Sequence, residues 1–453
     1  MGSQTARSAM TESDTAAAGP AFPPVLKRFW IFHAALTGFA ALWTAMLALV
    51  LKSPPPFGLL LLYGWNLFGD FRFFGARFIH FREPGFWARP GFPMTYPAPV
   101  GVCLGLLFKL SRPLPLYLGV CAAVWVVWQL FLERRFEAKG ISRVLAAGFI
   151  ATVALTTWPF WLLMNTANME GFVTIAMGAA TLAIVRQRWW LAAVLIGIGG
   201  SLKIYPFILL CLLFTSKKYW QMVVSVAVGA IVTVASLAIL GPTIAEANRH
   251  VGEGMVYLAD HYIYAISLLG AGFDHSLFST LKLVMMTIPA LAPYGGHGHL
   301  LAPTPLQAIQ EKKLLDMPLK IYVTLAAGGG IAAWFLRIRK MPMLNQMLAL
   351  CTCAVLLPPM SIDYTLLNLT VPFGVLCLYA VDRWRNGVAV KGLGTALMCF
   401  PFIYAPGQMY YPFPLLWLAC QLRTAALAVL LITILRCPFE RPHAEASGDF
   451  GWV

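Results

Sequence analysis

Asp70 stands in Gly69-Asp70-Phe71-Arg72-Phe73-Phe74-Gly75-Ala76-Arg77-Phe78-Ile79-His80, a carboxylate among aromatic and basic residues just after a membrane-length apolar run. A carboxylate within reach of a hydroxyl can take its proton, and guanidinium or ammonium groups beside it can hold a phosphate. Phe71, Phe74, Phe78 and Phe81 recur at helical spacing, so the segment reads as a short interfacial helix. Asp70 and Arg77, about two turns apart, share another face of it. The plainer alternative is an interfacial helix with snorkelling arginines.

Lys203 is the second chemical signal, in Gly200-Ser201-Leu202-Lys203-Ile204-Tyr205-Pro206-Phe207. An ammonium well inside an apolar stretch costs about 2.5 to 3.5 kcal/mol to insert, so it needs a polar partner or a watery cavity. Pro206 frees backbone carbonyls and permits a turn that brings Lys203 toward the side of Asp70. Between these two signals, Asn165-Thr166-Ala167-Asn168-Met169-Glu170-Gly171 interrupts two apolar runs. Glu170 either caps the next helix or joins Asn168 in a cavity.

Four further stretches carry polar groups. Arg82, Glu83 and Arg89 precede Tyr96-Pro97-Ala98-Pro99, where Tyr96 either starts an interfacial helix or faces the same cavity. The loop after Gly241 holds Asp260, His261 and Tyr262, then Asp274-His275-Ser276-Leu277, without a His pair at metal-ligand spacing. Gly295-Gly296-His297-Gly298-His299 reads as a flexible loop. Pro358 to Tyr364 puts Asp363 and Tyr364 at a helix junction, as cap or cavity residues.

The elements that must position these groups are membrane helices. The chain has 453 residues, 59% hydrophobic and only 11% charged, too little polar surface to cover a soluble globule of that size. Its net charge of +15 is dispersed through apolar sequence, which points to membrane orientation and lipid headgroups and away from nucleic acid. The nine cysteines lie mostly within apolar runs and read as small buried hydrophobes. Spans are predicted at 29–51, 114–132, 143–164, 219–240, 319–335, 366–381, 392–404 and 414–435, with shorter ones at 172–185 and 344–357. The 189–214 stretch reads as a hairpin of two short helices, and 97–110 is too short to cross. Basic loops then share one face, which makes both termini cytoplasmic and sets Asp70 on the extracytoplasmic side. The expected fold is an all-α polytopic bundle of about 12 membrane helices with interfacial helices and extracytoplasmic loops. Residues 1–26 form a disordered cytoplasmic tail, 27–437 one multi-pass domain, and 438–453 a second tail.

The order of these features resembles the glycosyltransferase C superfamily, and within it the family 87-like, polyprenyl-phosphate-sugar-dependent bacterial transferases. The family pattern of an early Asp, Tyr-Pro-Pro, a polar break, Gly-x-x-Lys-x-x-Pro, Asn-Gln-Ser-Leu and Ser-Pro-x-Ser-Trp-x-His falls here on Asp70, Tyr96 to Pro99, Asn168 to Gly171, Gly200 to Pro206, Asp274 to Leu277 and Pro359 to Tyr364. Ala98 replaces the second Pro, Asp274-His275 replaces Asn-Gln, and Ile362 and Tyr364 stand where Trp and His are usual. The resemblance implies a GT-C fold in the bacterial inner membrane and an inverting hexosyl transfer, mannose foremost, from a polyprenyl-phosphate sugar to a lipid, glycan or polypeptide hydroxyl. It implies Asp70 as general base, with Lys203, Arg72, Arg77 and His275 on the donor phosphate. Tyr96, Asn168, Glu170, His261, Asp363 and Tyr364 would line the cavity or hold the acceptor. Because phosphate leaves readily and fixed cations can serve it, neither metal nor other cofactor is expected. A transporter or flippase of a lipid-linked anionic glycan is the competing class, since broken helices suit it too, but no second copy of the Asp70 or Lys203 motif marks matching halves. A structural scaffold leaves Lys203 unexplained.

Overall fold

The computed structural model describes residues 22–50, 67–72, 95–265, 273–286, 305–406 and 416–439. Arg77, Arg82, Glu83, Arg89, the 295–299 loop, the tail through residue 21 and residues 440–453 lie outside them. The described residues form helices joined by turns and short irregular segments, without a strand, and a single isolated bridge joins Asp274 to Ile362.

The long helices follow the long apolar runs. These are α1 (Pro24–Val50), then, after the short α2 (Ala98–Leu107), α3 (Pro113–Ala138). Next come α4 (Arg143–Thr156) and α5 (Trp158–Thr166), bent by 46° where Thr157 separates them. Pro159 in the first turn of α5 has no N–H to continue the helix before it, so the predicted 143–164 span is two pieces. α6 (Glu170–Val185) and α7 (Trp189–Leu202) follow, then a 3₁₀ turn (Tyr205–Leu209), α8 (Leu210–Thr215) and α9 (Tyr219–Leu240). An amphipathic α10 (Ile244–Leu258), N-capped by the Thr243 side chain, runs into a π turn (Ala259–Ile263). The rest is α11 (Leu277–Met286), α12 (Pro305–Leu336), α13 (Met343–Leu356), a 3₁₀ turn (Asp363–Leu369), α14 (Thr370–Arg385), α15 (Leu393–Tyr404) and α16 (Leu416–Arg436).

Among the described residues five helices are long and apolar enough to cross a membrane, six if the bent α4–α5 pair is one span, and six further apolar helices are shorter. The expected dozen exceeds that established number. α2, at 10 residues, rises about 15 Å, half of a hydrocarbon core.

The 189–214 stretch does turn back. Lys218 Nζ, four residues past its end, lies 5.4 Å from the ring centroid of Trp189 at its start. The turn is crowded: a Cβ on Gly200 would stand 2.5 Å from the Phe207 ring, so only glycine lets the 3₁₀ turn fold against α7. The central helices α13 and α14 are buried along most of their length and anchor the main core with Leu348, Val355, Leu376 and Leu378. A second apolar cluster, including Phe71, Tyr117, Trp158 and Leu163, lies beneath the polar residues of the site.

Candidate active site

The break between α5 and α6 shapes one side of the site. Ala167 takes a left-handed conformation, with φ of 51°, which ends α5 and reverses the chain into Asn168. The Asn168 side-chain carbonyl accepts the Glu170 backbone N–H at 2.8 Å, which sets the direction of the amide. Its Nδ2 then faces Asp70 Oδ2 at 2.6 Å, the Tyr96 hydroxyl at 3.0 Å and the Tyr364 hydroxyl at 3.1 Å. Two N–H hydrogens face three oxygens, so a charged carboxylate draws one and the tyrosines share the other. Behind it, the Tyr117 hydroxyl donates to the Asn168 main-chain carbonyl, and Gly171 leaves room for that phenol.

Asp70 is brought in by its neighbours. Phe68 N–H donates to the Asn165 carbonyl at 2.6 Å, and the buried Phe71 ring stacks near Phe108 and Tyr117 at 4.8 and 5.6 Å. Burial pushes the Asp70 carboxyl above its ordinary range, opposed by the Asn168 hydrogen bond and the Lys203 charge. Burial first, and then the Asp70 charge, raise the Tyr96 phenol well above its usual value, so it keeps its proton.

Lys203 ends α7 in an extended conformation and donates to Glu170 Oε2 at 2.6 Å. Glu170 is fully buried while the Lys203 side chain keeps 24% exposure, so a buried carboxylate is the counterion of a lysine that is only partly buried. Tyr205 donates to Glu170 Oε1, and Asn368 donates to the same oxygen at 3.1 Å. A buried ion pair holds only when its remaining lone pairs are satisfied, and these two donors do that. The Lys203 ammonium also lies 5.6 Å from the Tyr364 ring centroid, which joins the pair to the Asn168 group.

His275 and Asp363 form a second, fully buried cluster. The His275 ring bonds Asp363 Oδ1 at 3.3 Å through Nδ1 and the Ser361 hydroxyl at 3.1 Å through Nε2. Arg423 of α16 pairs with Asp363 Oδ2 and donates to the Ala405 carbonyl at 2.8 Å. Asp274 Oδ1 accepts the N–H groups of Ser276 and Ser361 at 3.0 and 2.9 Å, which pins the loop before α11 to the loop after α13.

The structure therefore brings Asp70, Tyr96, Asn168, Glu170, Lys203 and Tyr364 together. It places His275, expected on the donor phosphate, and Asp363, expected at the cavity, in the adjoining buried cluster. Arg72 is exposed, with its guanidinium 5.7 Å from the Phe68 ring centroid, and Arg77 lies outside the described residues. His261 is exposed and stacks on Tyr257 at 3.6 Å between centroids. Its neighbour Tyr262 is the residue near Asp70: burial, and after it the Asp70 charge, raise its phenol. Tyr117, Tyr205, Tyr262 and Asn368 were not among the expected site residues. Tyr205 had a local signal, two residues beyond Lys203, whereas Asn368 meets Glu170 across 198 positions and had none.

Among the described residues no group of three or more His, Cys, Asp or Glu side chains is placed to hold a metal ion. No match was found among curated proteins or among solved structures. A family profile does match, over residues 95–359, a range that takes in Tyr96, Asn168, Glu170, Lys203 and His275 and begins after Asp70. An all-helical, highly apolar chain that matches this profile over more than half its length belongs to glycosyltransferase family 87, a family of GT-C type membrane glycosyltransferases.

Proposed function

We propose that the chain is an inverting hexosyltransferase that moves a sugar, mannose foremost, from a polyprenyl-phosphate donor to an acceptor hydroxyl on the extracytoplasmic face of a bacterial inner membrane. The observation that carries this reading is the Asn168 amide, which holds the Asp70 carboxylate at 2.6 Å beside an ammonium that has its own buried counterion. A base and a phosphate-binding cation side by side are what such a displacement requires.

In this reading the acceptor hydroxyl sits against Asp70, between the Tyr96 and Tyr364 phenols. Its oxygen attacks the anomeric carbon from the face opposite the phosphate. As that bond forms, the acceptor proton passes to the Asp70 carboxylate, and the bond from the anomeric carbon to the phosphate oxygen breaks with its electron pair on the phosphate. Lys203 has three N–H donors and spends one on Glu170, so two remain for the departing phosphate. Burial of Asp70 makes it a stronger base than an exposed aspartate, while Asn168 and Lys203 keep enough of it ionised to act. The phosphate is a competent leaving group once a cation meets it, so this chemistry requires no divalent metal.

The test is transfer from a radiolabelled polyprenyl-phosphate mannose to membrane lipid extract by the purified, reconstituted protein. Labelled product with wild type and its loss in Asp70→Asn, with normal insertion, is the expected result. Equal transfer by Asp70→Asn would remove Asp70 from the base role, and translocation of the lipid without transfer by either protein would replace the enzyme with a transporter. Lys203→Met should weaken use of the donor, and unchanged dependence on donor concentration would reduce Lys203 to a structural part.

A further inference from the structure

α6 runs from Glu170 to Val185, about 24 Å, and α7 returns from Trp189 to Leu202 beside Lys203. The Arg186-Gln187-Arg188 turn therefore lies at the membrane face opposite the Asp70–Lys203 group. Gln187 adopts a left-handed φ of 56°, which makes the turn tight.

Two guanidiniums meet there on one ring. Arg135, from the last turn of α3, lies 5.3 Å from the Phe131 ring centroid, and Arg186, from the end of α6, lies 5.1 Å from the same centroid. An arginine four residues from an aromatic on one helix is ordinary, and each helix C-terminus attracts one cation. Neither explains why a second helix delivers another guanidinium to that ring. Arg188 is close enough to repel Arg186, and Arg135 and Arg385 both repel Lys139. The carboxylates nearby are engaged elsewhere: Glu133 and Glu137 pair with Arg143 at 3.4 Å, and Asp382 with Lys139 at 3.5 Å. Among the described residues neither Arg135 nor Arg186 has a carboxylate partner.

The surrounding side chains mark a headgroup level. Trp190, Tyr219 and Trp220 are 59%, 54% and 75% exposed on the adjoining helix starts, where amphipathic rings settle at a membrane interface. Clustered cations without counterions cost repulsion that a bound anion reverses, and planar guanidiniums match phosphate oxygens two at a time.

We propose that Arg135 and Arg186, held over Phe131 and aided by Arg188, form a binding site for the phosphodiester headgroup of an anionic phospholipid at the membrane face opposite the transfer site. The lipid neutralises the junction of α3, α6 and α7, the last two of which carry Glu170 and Lys203 at their far ends.

The experiment measures lipid retained by the purified full chain, by native mass spectrometry, after exchange into micelles containing equal phosphatidylglycerol and phosphatidylcholine. Wild type should retain phosphatidylglycerol preferentially, and Arg135→Gln/Arg186→Gln should lower that preference roughly fivefold per guanidinium, about twenty-five-fold for the pair. An unchanged preference overturns the site. Displacement of the lipid by excess inorganic phosphate would make the occupant a soluble phosphate and overturn the lipid assignment. Should the double variant fail to fold, photoreactive phosphatidylglycerol on wild type decides: label on peptides spanning 131–135 and 185–189 supports the site, and label confined elsewhere refutes it.

Discussion

Replacing Asn168 by alanine separates the two influences on Asp70. In the native protein burial favours the protonated carboxyl, while the 2.6 Å Asn168 hydrogen bond and the Lys203 charge favour the carboxylate. Asn168→Ala deletes the hydrogen bond and leaves burial opposed by Lys203 alone, so the group holds its proton to higher pH. A hydrogen bond to a charged group contributes about 1.5 to 3 kcal/mol. If that energy acts on the ionised form only, transfer on the acidic side of the pH profile falls about 10- to 150-fold, because kcat/KM there follows the fraction of free base. At high pH both proteins are ionised and most of this loss returns, leaving only what misplacement of Asp70 costs. The assay is kcat/KM for labelled sugar transfer from pH 5 upward, with the acidic limb expected to move to higher pH. A variant-to-wild-type ratio that stays constant across pH would refute the reasoning, because it would mean that Asn168 contributes position without affecting the proton.

Asp70→Asn should be at least as resistant to thermal unfolding as wild type at neutral pH, because a carboxyl raised by burial stabilises the fold below its unfolded value and loses that contribution as pH rises through the raised one. The advantage should shrink on acidification, and a less stable variant at neutral pH would contradict the sign. Gly200→Ala forces a Cβ to within 2.5 Å of the Phe207 ring and should cost about 1 to 3 kcal/mol, part of it recovered by Phe207→Leu; full stability of the single variant counts against the hairpin packing. Asp363→Asn leaves Arg423 buried without its counterion and should destabilise by about 3 to 5 kcal/mol in a detergent unfolding assay. Asp363→Asn/Arg423→Met should be the more stable of the two, and the reverse order would dismiss the pair as a structural anchor.

Much of the site was legible because charges inside apolar sequence are conspicuous. Lys203 had to find a partner, Pro206 had to break a helix, and the 165–171 stretch interrupted two apolar runs; each local rule agreed with the geometry that followed. What stayed hidden were meetings across long separations. Glu170 read equally well as a cap or a cavity residue. It lies in the first turn of α6 and is also the counterion of Lys203, a distinction that depends on α7 returning beside α6. His275 showed its chemistry but not its neighbours, since an imidazole that suits a phosphate suits a buried aspartate equally, and Asp363 is 88 positions away. Span boundaries were least legible. Apolar length registers hydrocarbon thickness, whereas α12 extends to Pro305 through polar residues that apolar length alone would leave outside the helix.

The 3₁₀ turn at Asp363–Leu369 explains why the two polar clusters are inseparable. With about three residues per turn, successive side chains point roughly 120° apart, so a short segment can serve more than one side. Asp363 and Thr365 reach the His275 and Arg423 group, while Tyr364 and Asn368 reach Asn168 and Glu170. The residues that meet Asn168 and Glu170 are thus fixed from behind by a fully buried ion pair. A long α-helix would have put one face toward the site and the other toward lipid. A tight turn, buried on all its residues, allows a single segment to place a phenol against Asn168 and an amide at the counterion of Lys203. Changes in the rear cluster should therefore reach the Asn168 and Glu170 groups through Tyr364 and Asn368.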